Sequence, residues 1–234
     1  MLIAVLSDIH GNSSALRRVL DEATSLRVDH LLILGDQIGY YYDASGVYDL
    51  IDSWSKDMIR GNHEDMLEGL LTQSINPDVV KSKYGSALEI AARTLSAQKL
   101  EVIRQHNRTK VVCYDNIKIL LAHGSPWNTD QYIYPDANKE LIERCDSGDL
   151  DYVFLGHTHY PFLYRAKHAL IINPGSVGQS RVCGGIADWG ILNTTNGVYT
   201  PRHTPYDTKS ICDMVQKIDP EVPYLRDVLD RNRY

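Results

Sequence analysis

The sequence predicts an α/β fold, and three observations carry the expectation. Apolar runs of strand length alternate with segments of helical period. The first three segments read strand, helix, strand, which makes a βαβ unit with a parallel pair. Five of the strand-like runs end on the same residue types: a carboxylate, a carboxamide or an imidazole beside a glycine. Open α/β sheets gather their ligand sites outside the carboxyl ends of the strands.

The elements follow in order. Residues 2–6 are an apolar strand that runs into Ser7-Asp8-Ile9-His10. Residues two apart on an extended segment point to one side, so Asp8 and His10 are expected to share a face. Ala15, Leu16, Val19, Leu20 and Ala23 have helical period, with Asn12 or Ser13 as the cap. Asn12 reads equally well as a substrate contact. Residues 29–34 form a second strand, ending in Gly35-Asp36. Tyr40, Tyr41 and Tyr42 read as loop anchors, with stacking on a base as the other reading.

Val47, Leu50, Ile51 and Trp54 mark a short helix, and 56–60 a short strand that ends in Gly61-Asn62-His63-Glu64. Residues 64–105 are mostly helical, interrupted at Asn76-Pro77. Strands 109–114 and 118–122 flank Asp115-Asn116, a hairpin signal. The second of them enters His123-Gly124. A helix over 138–145 precedes a strand over 152–155, which ends in Gly156-His157-Thr158-His159. Strands are expected at 162–166, 169–172, 186–192 and 197–202, then a helical segment from Thr208. No repeat, linker or shift in composition divides the chain, so residues 1–234 read as one domain.

Composition narrows the function classes. With 43 % hydrophobic and 23 % charged residues, the chain has the make-up of a soluble globular protein. A net charge of −6 without a basic stretch argues against a general nucleic-acid or acidic-membrane binder. No apolar run reaches the ~18 residues of a membrane span, and the start lacks a basic n-region, so a cytoplasmic location is expected. Cys113, Cys145, Cys183 and Cys212 are scattered, which suits reduced thiols rather than a disulfide framework or a thiolate metal site.

The strand-end residues Asp8, His10, Asp36, Asn62, His123, His157 and His159 can all bind metal, more than one ion needs. Asp36 can bridge through two carboxylate oxygens. The set suits two ions about 4 Å apart that share a hydroxide, an arrangement for attack at phosphorus. A mixed N/O set without thiolate suits manganese, iron, nickel or zinc.

The ordered motifs Asp8-Ile9-His10, Gly35-Asp36, Gly61-Asn62-His63-Glu64, His123-Gly124 and Gly156-His157-Thr158-His159 resemble those of the calcineurin-like metallophosphoesterase superfamily. The segment 173–181, Asn-Pro-Gly-Ser-Val-Gly-Gln-Ser-Arg, is similar to one in its small phosphodiesterase branch, the YfcE-like group. The resemblance implies a four-layer αββα sandwich of two mixed sheets flanked by helices. It implies one divalent ion on Asp8, His10, Asp36 and His159, and another on Asp36, Asn62, His123 and His157.

It also implies a phosphodiesterase or phosphatase in which a metal-bridging hydroxide attacks phosphorus directly. His63 would protonate the leaving oxygen or steady the phosphoryl oxygens, with Glu64 orienting it. Protein serine/threonine phosphatases of the superfamily carry an arginine shortly after the GD motif. Gly35-Asp36-Gln37-Ile38-Gly39-Tyr40 has none, which favours a small phosphodiester, nucleotide or phosphomonoester over a phosphoprotein. Arg181 is the candidate phosphate clamp. The alternatives are a protein phosphatase and a non-catalytic interaction scaffold. No nucleic-acid or membrane partner is expected, and a homo-oligomer is left open.

Overall fold

The computed structural model describes residues 1–232. Its elements, in chain order, begin with β1 (Leu2–Leu6), α1 (Ser13–Ser25), β2 (His30–Ile33), α2 (Ala44–Ile51) and β3 (Lys56–Met58). Four helices follow: α3 (Asn62–Leu71), α4 (Pro77–Tyr84), α5 (Ala87–Thr94) and α6 (Ala97–Gln105). Then come β4 (Thr109–Tyr114), β5 (Ile117–Ala122), α7 (Lys139–Glu143), β6 (Tyr152–Phe154), β7 (Phe162–Arg165) and β8 (Leu170–Asn173). The chain closes with β9 (Ile186–Asn193), β10 (Val198–Pro205), α8 (Lys209–Ile218) and α9 (Tyr224–Asp227).

These elements build two five-stranded mixed sheets. One has the order β10-β9-β1-β2-β3, with β1, β2 and β3 parallel and β9 and β10 antiparallel. The other has the order β4-β5-β6-β8-β7, with β5, β6 and β8 parallel inside antiparallel edges. Strand alternation sorts their side chains into layers. Ile3, Val5, Leu32 and Leu34 of the first sheet meet Ile119, Leu121, Phe154 and Ile172 of the second, and form the core between the sheets. Ala4, Leu6, Leu31 and Ile33 face the other way, under α1, α2 and the α3–α6 helices. Val153, Leu155 and Ile171 face outward from the second sheet, where Ile142 of the short α7 covers them. This is the expected four-layer sandwich, with a thin outer layer on one side.

Local chemistry accounts for the boundaries. Asn12 caps α1, its side chain accepting from the Ala15 amide at 3.0 Å while donating to the Gly178 carbonyl at 2.9 Å. The stretch expected to be mostly helical is cut into four by Asn76-Pro77, Gly85-Ser86 and Leu95-Ser96, and Asn76 and Ser96 act as N-caps. The β4–β5 turn holds Asp115 at φ 49° and Asn116 at φ 66°, which residues of this type tolerate well. Trp127 packs beside α7, with the Arg144 guanidinium 4.0 Å over its ring. Among the described residues, no helix is long and apolar enough to cross a membrane.

Candidate metal centre

Strand ends from both sheets deliver the motif residues to one place. β1 and β2 are parallel neighbours, so the loops after them run side by side. They zip together through main-chain bonds: Asp8 N–H to the Gly35 carbonyl (3.2 Å), His10 to Asp36 (2.9 Å) and Gly11 to Gln37 (2.9 Å). The convergence of Asp8 and His10 differs from the extended strand end read from sequence. β1 stops at Leu6, and both residues turn back with φ of 54°. Asp36, His157 and His159 do the same, at 52°, 66° and 59°. Left-handed backbone costs a non-glycine residue on the order of 1 kcal/mol and is held only where the surroundings over-determine it. Half of the ten non-glycine residues with positive φ lie in this one cluster, among the described residues.

The segment 173–181 is what holds the turns. Val177 and Gly178 donate to the Ser7 and Asp8 carbonyls at 3.0 Å each, and Ser176 Oγ donates to the Asp8 carbonyl at 2.7 Å. Gly178 lies so close that a Cβ there would sit 1.9 Å from the Ile9 carbonyl oxygen. Asn173 Nδ2 donates to the Gly156 carbonyl at 2.7 Å, fixing the other histidine turn.

The buried side chains form two linked groups around Asp8 and Asp36, and a third combination, His10, Asp36 and His63, spans them. In the first, Asp8 Oδ1 is 3.3 Å from His159 Nε2 and 3.6 Å from His10 Nε2, and those two nitrogens are 3.0 Å apart. In the second, Asp36 Oδ2 is 3.2 Å from His123 Nε2, which is 3.0 Å from Asn62 Oδ1, and His157 completes the group. Asp36 Oδ2 joins the two, lying 3.8 Å from His10 Nε2. Its Oδ1 accepts the His63 amide at 2.9 Å, so a single oxygen faces the imidazoles instead of the two read from sequence. Asn62 and His63 reach the cluster from the first turn of α3, beyond the end of β3.

Tautomers distinguish the histidines. The Nδ1 atoms of His10, His123 and His159 meet the carbonyls of Ile38 (3.1 Å), Leu34 (2.7 Å) and Gln179 (2.8 Å). A carbonyl only accepts, so each Nδ1 carries a proton and each neutral ring turns an Nε2 lone pair inward. Two lone pairs facing at 3.0 Å repel unless a cation lies between them, and Asp8 Oδ1 is buried there without a hydrogen-bond partner. The donor chemistry therefore fits a divalent cation. His63 is different. Its buried Nδ1 lies against Gly39, where a Cβ would come within 2.1 Å, and has no partner. The proton is better placed on Nε2, which lies 3.9 Å from Asp36 Oδ2, so the ring presents a donor rather than a ligand.

Electrostatics follow from burial and the two carboxylates. Burial disfavours charge on His123, but Asp36 and Asp8 outweigh it and push the ring up to about 10, so with no cation beside it Nε2 holds a proton, and a bound cation would take that proton's place on the lone pair. Burial brings His63 and His157 down to about 3 and His159 to about 4, against the pull of the carboxylates. Burial would raise Asp8 and Asp36, yet the histidines around them hold both well below the carboxylate range.

Glu64 does not orient His63 as expected from sequence. Its buried carboxylate accepts four amides: Asp36 (2.9 Å) and Gly61 (2.7 Å) on Oε2, Gln37 (2.9 Å) and Ile38 (3.3 Å) on Oε1. It thereby ties the Asp36 loop to the start of α3. Burial and the Asp36 charge push it up to about 7, against the four donors. Tyr40 and Tyr41 are buried, with Tyr41 donating to the Leu225 carbonyl at 3.1 Å, so the tyrosine loop is packing. Arg181 is partly buried and its amide reaches the His159 carbonyl at 3.4 Å. Among the described residues no carboxylate pairs with its guanidinium, and its Nε has no partner. His30, His106, His168 and His203 stay outside the cluster.

A family model described as the calcineurin-like phosphoesterase superfamily domain matches residues 1–196. The chain belongs to that superfamily. It is thus a metal-dependent phosphoric ester hydrolase by family. It is 27 % identical to the uncharacterised protein MJ0912 of Methanocaldococcus jannaschii, with 92 % of each chain covered. Its fold matches that of the hypothetical protein PH1004 from Pyrococcus horikoshii OT3 at a TM-score of 0.84 and 20 % identity, covering 98 % of each chain. A metallophosphoesterase from Sphaerobacter thermophilus matches at 0.79 and 24 % identity, again with 98 % of each covered.

Proposed function

We propose that this phosphoesterase hydrolyses a small phosphodiester, nucleotide or phosphomonoester at a centre for two divalent ions. The observation that supports the reading is the place of Asp36 Oδ2, which belongs to the His123/His157 group and lies 3.8 Å from His10 of the Asp8/His10/His159 group. Asp8, His10, Asp36 and His159 would hold one ion, and Asp36, Asn62, His123 and His157 the other. Bound there, the ions would supply Lewis acidity and an activated water for direct attack at phosphorus. The neutral Asn62 amide adds an oxygen donor without further negative charge.

The remaining work falls to the chain. His63 Nε2–H points into the cluster and is placed to donate to a phosphoryl or leaving-group oxygen. Arg181, a guanidinium without an acid partner, suits a phosphate oxygen. The missing arginine after Gly35-Asp36 leaves Arg181 as the cation for this role. The test is Asp36→Asn, measured by metal content and by turnover of an aryl phosphate and its diester with manganese. Both ions and nearly all activity should be lost together. Normal metal content and turnover would refute the shared carboxylate.

A further inference from the structure

The aromatic faces open to a ligand are not in the Tyr40–Tyr42 loop but in the loop that follows β5. Tyr132 and Tyr134 are 41 % and 36 % exposed, while Ile133 between them is 1 % exposed and anchored in the outer core of the second sheet. The alternation sends both tyrosines to the same side. Their rings lie nearly parallel, 9° apart with centroids at 5.5 Å. Tyr132 also lies against the His157 ring, with centroids 4.0 Å apart and planes tilted by 36°. A ladder of planar groups thus runs outward from the cluster: His157, Tyr132, Tyr134.

The ladder is held in shape. Ser125 and Asn128 bond each other through both main chain and side chain, at 2.9–3.0 Å, and the Gln131 amide returns to the Asn128 carbonyl at 3.2 Å. Pro135 biases Tyr134 to extended backbone. Beyond Tyr134 lies a groove of about 430 Å³, lined by Tyr134, Pro135, Asp136 and Tyr160, large enough for a small-molecule group.

We propose that Tyr132 and Tyr134 form a stacking platform for the base of a nucleoside phosphoester whose phosphate lies at the His157 end. The proposal rests on the phosphoesterase reading above and names its substrate class. A base lies outward of its phosphate, as the exposed rings lie outward of the cluster. Stacking uses the π-face common to all bases, so the platform selects nucleosides without selecting among them. Asp130 and Asp136, both exposed on this loop, disfavour a polyanionic strand and favour a small nucleotide.

The experiment is calorimetric titration of the manganese-loaded protein with AMP and with ribose 5-phosphate, which differ by the base alone. A base stacked on an aromatic side chain contributes about 5- to 150-fold in affinity, so AMP should bind at least fivefold more tightly. Tyr134→Leu should bring the ratio close to one, and Tyr134→Phe should restore it. Equal affinities in the wild-type protein, or a ratio unmoved by Tyr134→Leu, would overturn the platform. So would a single-stranded oligonucleotide that binds more tightly than AMP. Aryl phosphate turnover in the same preparation judges the phosphoesterase reading separately. Turnover with equal affinities sinks only the platform, whereas a base-dependent ratio without turnover sinks only the catalysis.

Discussion

Replacing Glu64 by glutamine exchanges one oxygen for an NH2 group and tests how the centre is assembled. The wild-type carboxylate accepts four main-chain amides from two separate segments, and all of them are buried with it. Glutamine keeps the volume but has one acceptor oxygen. That oxygen should take the Oε2 position, where the bonds to Asp36 and Gly61 are 2.9 and 2.7 Å, shorter as a pair than those on Oε1. The amide nitrogen then faces the Gln37 and Ile38 N–H groups, donor against donor. Each buried donor left without a partner costs about 1–3 kcal/mol, so two should cost about 2–4 kcal/mol after some relaxation. For a chain of this length that corresponds to a fall in Tm of about 5–15 °C. The assay is urea unfolding followed by tryptophan fluorescence, with manganese content measured after gel filtration. Metal retention should fall as well, because Glu64 joins the Asp36 loop to the turn that carries Asn62. An unfolding midpoint and a metal content both equal to wild type would refute the reasoning.

Two further outcomes follow from the same geometry. His63→Ala should retain metal and lose about 10²–10⁴-fold on alkyl phosphoesters, whose leaving oxygens need a proton donor, and less on aryl esters. Equal losses on both would rule out a role at the leaving group. Asp57 supplies a pH signature far from the centre. Burial opposes its charge, but Lys110 Nζ (2.6 Å), the Tyr114 hydroxyl and His30 Nε2 (2.9 Å) bind the carboxylate and hold it below its ordinary value. A depressed folded value means stabilisation that is present above about pH 4 and lost as the pH falls through the folded value. Asp57→Asn should therefore be less stable at neutral pH and show a shallower loss on acidification, read from urea midpoints between pH 3 and 7. Parallel curves for the two proteins would contradict it.

Much of this molecule is legible in one dimension because its signals are local. Apolar alternation, the βαβ start and the polar residue after each strand depend on neighbours in sequence, and they place nearly every strand and single out the residues that could bind metal. The Asp115-Asn116 turn and the Asn12 cap are local in the same way. What sequence could not supply depends on residues brought together by folding. Glu64 adjoins His63 in the chain, yet its oxygens go to amides more than twenty residues earlier, because α3 begins beside the Asp36 loop. The left-handed turns at Asp8 and His10 are held by main-chain bonds to the 35–37 loop and, at Asp8, to segment 173–181, which also supplies the carbonyl that orients the His159 ring. Which tyrosines are left open is decided in the same way. Both stretches are aromatic, but the sheet packing buries Tyr40 and Tyr41 and leaves Tyr132 and Tyr134 open. Residue type set which chemistry was available. Burial and the direction of each lone pair, which are properties of the packed chain, decided which atoms can carry it out.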